Sequence, residues 1–212
     1  MDVAAVFSDL EPIEQNEGPE PVVRIAYTPD FIEVMGYFRR ILVDEEYSAR
    51  ALQLSEEAIG LNAANYTAWQ FRRRCITKLN EQGTEEQRKD AWRKELIFCD
   101  EQCRNNMKNY QVRKRCRGRQ PLRAATHPPS PHVLPPSWPC RHPSLKPPCD
   151  PRPQVWFHRR SCVEQLGEAD KEMEFLEEIL EEDAKNYHAW GHRQWVLRTF
   201  SLWSNELAFV ER

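Results

Sequence analysis

Four stretches of the chain repeat apolar residues with the period of a helix. In SARALQLSEEAIGL, which begins at Ser48, Ala51, Leu54, Ala58 and Leu61 fall at i, i+3, i+7 and i+10. AWRKELIFCDEQC, from Ala91, does the same with Trp92, Leu96, Cys99 and Cys103. KEMEFLEEILEE, from Lys171, aligns Met173, Leu176 and Leu180, and FIEVMGYFRRIL aligns Phe31, Met35, Phe38 and Leu42. Each spacing puts its apolar residues on one stripe of a 3.6-residue helix, and none alternates as a half-buried strand does. The pattern predicts an all-α protein.

Three of these stretches lead into a second, shared pattern. NYTAWQFRR starts at Asn65 and NYHAWGHRQW at Asn186. A third copy, NYQ at Asn109, breaks off and resumes as VWFHRR at Val155. Lifting out residues 112–154 restores KNYQVWFHRR and brings Trp69, Trp156 and Trp190 into register as Asn-Tyr-x-x-Trp-x-x-Arg. Asn109 and Asn186 then lie 34 residues apart instead of 77. That is the length of a helix-turn-helix repeat, so a right-handed α-α superhelix of helix hairpins is expected. The first interval, from Asn65 to Asn109, is 44 residues and is read as holding a longer loop around NEQGTEEQRKD. Asn65, Asn109 and Asn186 suit the N-cap of each second helix. Residues 1–30 read as an extended lead-in and 31–111 as a first helix, repeat 1 and the start of repeat 2. Residues 155–212 read as the rest of repeat 2, repeat 3 and the first helix of a fourth. WSNELAFVER has the look of a repeat's first helix without its second, so the array is expected to be cut short.

Charge and proline isolate the interruption. Twelve of the 16 prolines lie between Pro121 and Pro153, and the other four precede the first helical stripe. Residues 112–154 carry nine Lys/Arg against one acid, Asp150, which leaves −11 for the remainder of a chain whose net charge is −3. Such a segment cannot bury enough apolar surface to fold alone. Three readings compete for it: a disordered loop for acidic surfaces or nucleic acid, a metal site drawn from Cys116, Cys140, Cys149, His127, His132 and His142, or the translation of a retained intron. CxxC and HxxxH spacings are absent there and aromatics are not interleaved with the basic residues. The retained intron accounts best for an in-frame segment whose removal repairs a motif, so no nucleic-acid partner and no metal ligand is assigned.

The N-terminus, MDVAAVFSDLEPIEQ, has no basic leader region, and no apolar run reaches 18 residues, so neither a signal peptide nor membrane insertion is expected. Seven cysteines without a regular framework read as reduced thiols of a cytoplasmic protein.

The repeated NYxxWxxR with its helix pairs resembles the repeat of protein prenyltransferase α subunits. EPIEQNEGPEPVVRIAY followed by LNAANYTAWQFRR, with DAKNYHAWGHRQW later, is similar more narrowly to the α subunit shared by protein farnesyltransferase and type I geranylgeranyltransferase. The α subunit of Rab geranylgeranyltransferase uses the same repeat and is the runner-up. The resemblance covers about residues 10–111 and 155–212. It implies a crescent that wraps a β subunit, and transfer of farnesyl or geranylgeranyl from an isoprenoid diphosphate to the cysteine of a CaaX protein. It places zinc, with magnesium a second candidate, in the β subunit or the complex, and no cofactor in this chain. In that family Lys108 matches the lysine that assists diphosphate departure. Tyr187 and His188 match residues that reach the diphosphate, Gln111 the glutamine that holds the carboxylate end of the CaaX peptide, and Tyr110 a neighbouring active-site tyrosine.

The chemistry fits those residue types. When a thiolate attacks C1 of an allylic diphosphate, negative charge grows on the leaving oxygen, and a cation and hydroxyl donors held there stabilise the transition state. Plainer readings stand beside this one. Core packing accounts for Trp69, Trp156, Trp190 and Tyr66, and Arg72, Arg159 and Arg193 suit ion pairs with acids of adjacent repeats. Lys108 and Lys185 are surface lysines on residue type alone, and His188 an interface histidine. A non-catalytic scaffold similar to a tetratricopeptide protein is the competing function. The interruption just past Gln111 would rob Lys108 and Gln111 of their anchoring, so weak or absent transfer is expected of the interrupted form.

Overall fold

The structure, a computed structural model, describes residues 1–23, 25–105, 154–169 and 171–211. The elements among these residues are α-helices and one 3₁₀ turn. They run α1 Val3–Val6, α2 Pro29–Val43, α3 Ala49–Leu61, α4 Tyr66–Leu79, α5 Glu85–Asn105, α6 Gln154–Leu166, α7 Glu172–Glu182 and α8 Tyr187–Phe200, then the turn Trp203–Asn205 and α9 Glu206–Val210. No strand occurs among the described residues. The pairs α3–α4, α5–α6 and α7–α8 pack as neighbours, α4 packs on α6, and α6 packs on α8. This is a helical-repeat superhelix whose second helices stack on one another.

Local chemistry sets the helix starts. Ser48 Oγ accepts from Ala51 N at 3.2 Å to open α3. Thr28 Oγ1 accepts from Phe31 N at 3.3 Å ahead of Pro29, whose missing N–H costs nothing at a first turn. Thr84 and Gln87 cap one another, Gln87 N donating to Thr84 Oγ1 at 3.2 Å and Thr84 N to Gln87 Oε1 at 2.8 Å. This capping box starts α5 at Glu85, so most of the loop expected around NEQGTEEQRKD is helix. At the far end of α6, Gly167 takes φ +71°, the left-handed conformation a helix exit favours.

The lead-in departs from expectation too. It opens on a helical turn capped by Asp2, and Val3 and Phe7 enter the core, Phe7 stacking on Tyr37 at 5.7 Å. Further along, Ile13 N donates to Gly36 O at 3.1 Å and Arg39 Nε donates to Ile13 O at 2.8 Å. Gly36 makes this docking possible: a Cβ there would lie 3.0 Å from Pro12 Cβ.

Two of the apolar stripes are rotated from the expected ones. On α3 the buried face is Ala51, Leu54, Ser55, Ala58 and Ile59, and Leu61 is exposed beside the helix end. On α2 it is Val34, Tyr37, Phe38 and Ile41, with Phe31 at the half-buried first turn. Tyr66, expected in the core, is 55% exposed, because it is the first residue of α4 and the buried arc is Ala68, Trp69, Arg72, Cys75 and Ile76. Trp69 and Trp156 are buried as expected, whereas Trp190 is 36% exposed. Cys75, Cys99, Cys103 and Cys162 are buried free thiols.

Candidate functional site

The turn that opens α4 and the turn that opens α8 are built alike. Asn65 Oδ1 accepts from Thr67 N and Ala68 N at 3.1 and 3.3 Å. Asn186 Oδ1 accepts from His188 N and Ala189 N at 3.1 and 3.2 Å. Three residues past each cap-following tyrosine, a tryptophan reaches back over the turn. Trp69 Nε1 donates to Ala63 O and Trp190 Nε1 to Ala184 O, both at 2.9 Å. The tyrosines stand outside: Tyr187, like Tyr66, is exposed, at 63%, and its ring meets His188 edge-on at 5.6 Å.

The two turns differ in chemistry. The first reads Ala-Ala-Asn-Tyr-Thr and carries no cation. The second reads Ala-Lys-Asn-Tyr-His and presents an ammonium, a phenol and an imidazole at the positive end of a 14-residue helix. Since Asn186 already takes two of the helix's N–H donors, an anion arriving here meets side chains first. Tyr187 and His188 are thus brought together on one exposed turn. Lys108, Tyr110 and Gln111 lie outside the described residues, as does Asn109.

Behind the turns lies a device that the sequence reading found only in part. Each motif arginine crosses to the first helix of the next repeat. Arg72 Nε and Nη2 donate to Glu95 on α5 at 2.7 and 2.9 Å. Arg159 Nε and Nη2 donate to Glu172 on α7 at 3.0 and 2.7 Å, and Nη1 donates to Asp100. Arg193 Nε and Nη2 donate to Glu206 on α9 at 2.9 and 2.7 Å. The expected pairing of Arg72, Arg159 and Arg193 with acids of neighbouring repeats is what the structure contains. What the sequence reading missed is the other jaw of each clamp. The guanidinium carbons lie 3.9 Å above Phe98, 3.5 Å above Phe175 and 3.6 Å above Phe209. Glu-x-x-Phe therefore recurs once per repeat, in ELIF, EMEF and ELAF, one turn wide as a clamp on a planar cation needs.

Histidines complete two of the three clamps. His158 Nε2 donates to Glu95 at 2.6 Å and His192 Nε2 to Glu172 at 2.9 Å. Burial pushes the Glu172 carboxyl up, but the hydrogen bond from His192 and the Arg159 charge outweigh it and hold the group below its ordinary 4.5. Burial also pushes His192 below its ordinary 6.5, and the Glu172 contact does not fully offset it. Both shifts are downward, so both contribute stability that is present above the unfolded pKa and lost as pH falls. The urea midpoint is therefore expected to drop as pH is lowered from about 7 to about 4, first below 6.5 through His192 and then below 4.5 through Glu172. His192→Gln should flatten the first part and leave the second. Midpoints of the two proteins that run parallel through the first interval would rule out this account of it.

One cluster unites groups of metal-ligand chemistry. Cys99 of α5 and His158 and Cys162 of α6 are fully buried, and their ligand atoms all lie within 4.8 Å of one another. Burial drives the Cys99 thiol well up, and its neighbour Cys162 adds to that. Burial also raises Cys162, but hydrogen bonds with Cys99 and His158 overcome this and bring it to about 6. The signal was present in sequence as two i, i+4 pairs, Glu95/Cys99 and His158/Cys162, on helices that only the fold brings face to face. The cysteines and histidines weighed earlier within 112–154 lie outside the described residues.

Comparison with known proteins gives a consistent picture. The family described as protein prenyltransferase alpha subunit repeat matches residues 48–79 and 169–200, the α3–α4 and α7–α8 pairs. A tomato protein, "Protein farnesyltransferase/geranylgeranyltransferase type-1 subunit alpha", is 58% identical over 73 residues, which is 34% of this chain and 21% of that protein. A Dictyostelium discoideum "Geranylgeranyl transferase type-2 subunit alpha" is 21% identical over 154 residues, 72% of this chain and 36% of that protein. Among solved structures, "Candida albicans protein geranylgeranyltransferase-I complexed with GGPP" superposes with a TM-score of 0.67 at 25% identity, over 96% of this chain and 54% of the other. The chain thus spans about half of that structure's chain and about a fifth of the tomato protein. Two repeats matched at the paired helices, a type-1 relative and a superposed type-I structure agree: this chain carries two protein prenyltransferase alpha subunit repeats and is similar, over part of their length, to type-1 alpha subunits.

Proposed function

We propose that this chain is the α subunit of a heterodimeric protein prenyltransferase of the farnesyltransferase/type I geranylgeranyltransferase kind. Its partner is a β subunit, and the pair transfers an isoprenoid from its diphosphate to the cysteine of a CaaX protein in the cytoplasm. The zinc, and any magnesium, is held by the β subunit or at the complex. Among the described residues no helix is long and apolar enough to cross a membrane.

The observation that carries this reading is the Lys-Asn-Tyr-His turn at the start of α8. A repeat scaffold needs the asparagine cap and the tryptophan strap, which the α4 turn also has. It has no use for an exposed phenol and a half-buried imidazole beside a lysine at a positive helix end. In the proposed reaction Tyr187 and His188 donate to the diphosphate while Lys108 neutralises the leaving oxygen as the carbon–oxygen bond breaks. Gln111 and Tyr110 hold the peptide. The type-1 reading is preferred to the type-2 one because the tomato type-1 relative is 58% identical where it aligns and the type-2 relative 21%.

The test is prenyl transfer to a CaaX peptide by this chain, with and without residues 112–154, each co-expressed with a farnesyltransferase β subunit. The shortened chain is expected to bind β and transfer, with Lys108→Ala lowering kcat about a hundredfold, the scale of losing one donor at a developing oxyanion. The interrupted chain is expected to transfer weakly or not at all. Binding of β without transfer by either form would favour a tetratricopeptide-like scaffold, and failure of both to bind β would end the subunit assignment.

A further inference from the structure

We propose that Cys99, His158 and Cys162 form a binding site for a thiophilic divalent cation of the zinc class, which would pin α5 to α6. The site is separate from the zinc attributed above to the β subunit, and the proposal stands or falls on metal binding by this chain alone.

The donor set is the first argument. Two thiolates and a neutral imidazole balance a divalent charge and match the softness of zinc or cobalt. Tetrahedral bonds of about 2.3 Å to sulfur and about 2.0–2.1 Å to nitrogen hold ligand atoms roughly 3.5–3.8 Å apart. The three donors already lie within 4.8 Å of one another, so side-chain adjustments of about an ångström suffice.

The second argument is the histidine's orientation. His158 Nε2 donates to Glu95 at 2.6 Å, and Glu95 is held from the other side by Arg72. This is the carboxylate–histidine arrangement that fixes a ligating imidazole, and it leaves Nδ1 with a lone pair. A cation's hydrogen-bond donor now addresses that lone pair: Arg73 Nη1 lies 3.1 Å from Nδ1. Arg73 is only half-buried, with its guanidinium 5.2 Å over the ring of exposed Phe157, so it has a route to solvent. The guanidinium stands where the ion would bind.

The third argument is the shell. Ile76, Trp92 and Leu166 pack around the two cysteines, and Trp69 lies 4.8 Å from the His158 ring. An apolar wall strengthens a metal–thiolate bond, and one water completes the tetrahedron as the fourth ligand. Binding releases the Cys99 thiol proton to solvent as the two metal–sulfur bonds form, Cys162 being already the more acidic of the pair, and no redox step is involved.

The test titrates the full chain, reduced and free of oxygen, with Co²⁺ alone and then Zn²⁺ alone. It is made in a background with Cys116→Ala, Cys140→Ala and Cys149→Ala, which removes the cysteines of the basic segment. One cobalt per chain is expected, with the near-ultraviolet thiolate charge-transfer band and the strong visible bands of tetrahedral cobalt, all bleached by zinc. Cys99→Ser and Cys162→Ser should each abolish stoichiometric binding while keeping the helical circular dichroism. Arg73→Met, which removes the competing guanidinium without opening the core, should tighten cobalt binding about tenfold. A background chain that takes up no cobalt, or bands that persist in both serine variants, would overturn the proposal, as would an Arg73→Met variant that binds no more tightly.

Discussion

Replacing Glu172 by alanine is expected to cost about 3–5 kcal/mol of folding stability, the scale for removing one partner of a buried ion pair. Glu172 is 3% exposed and both of its oxygens are used, Oε1 by Arg159 Nη2 at 2.7 Å and Oε2 by Arg159 Nε at 3.0 Å and His192 Nε2 at 2.9 Å. Without the carboxylate, Arg159 keeps only Asp100 at the half-buried edge of the cluster, and His192 loses its acceptor. Glu206 makes the same clamp on Arg193 but is more open to solvent, and Arg193 also has Glu177 within 3.9 Å. Glu206→Ala should therefore cost less than half as much. Equilibrium urea unfolding of the two variants against the parent measures both. The penalty is one of orphaned charge, so Glu172→Leu combined with Arg159→Met should be milder than Glu172→Ala alone. A Glu172→Ala cost under about 1 kcal/mol would mean that the clamp does not hold the repeats together.

The clamps also show which parts of this fold the sequence displays and which it hides. Helix periodicity, the asparagine caps and the crossing arginines could be read because each follows from spacing within one helix. Their acceptors could not, because Glu95, Glu172 and Glu206 are three among 33 acids and sit in helices that look solvated. Only the recurrence of phenylalanine three residues on distinguishes them. The motif tyrosine misled for a related reason. A large aromatic at three-residue spacing from a tryptophan reads as core, but a residue in the first turn has no preceding turn beneath it, and Tyr66 and Tyr187 point outward. Tyr187, which the resemblance assigns to the site, is exposed beside His188 and so is available for binding in a way that a packed tyrosine is not. The Cys99–His158–Cys162 cluster was hidden more deeply. Its halves lie 59 residues apart in sequence, from Cys99 to His158, on either side of a segment whose own cysteines and histidines drew attention first.

The repeat offers an internal control for a second large effect. Trp69→Ala is expected to cost about 3–5 kcal/mol, the range for deleting a fully buried aromatic. Its ring is 0% exposed, wedged between Phe98 of α5 at 5.9 Å and His158 of α6 at 4.8 Å, so it joins the first repeat to the second. Trp190 occupies the same place in its own repeat and makes the same strap to a backbone carbonyl at 2.9 Å, yet it is 36% exposed and its nearest aromatic partner is Phe209 at 6.0 Å. Chemistry and hydrogen bond are matched, so the difference between the two alanine variants isolates burial. Trp190→Ala should cost roughly 1–2 kcal/mol, since less apolar area leaves the interior and less of a cavity remains. Trp69→Phe supplies the complementary measurement, keeping most of the ring and deleting the Nε1 donor to Ala63. A loss of about 1 kcal/mol is expected there, the net worth of one hydrogen bond. Equal losses for Trp69→Ala and Trp190→Ala would assign the effect to the strap and not to the wedge. The wedge also forms one wall of the His158 pocket, so the ranking of these variants bears on how firmly α6 is held against α4 and α5, where the interrupted repeat resumes.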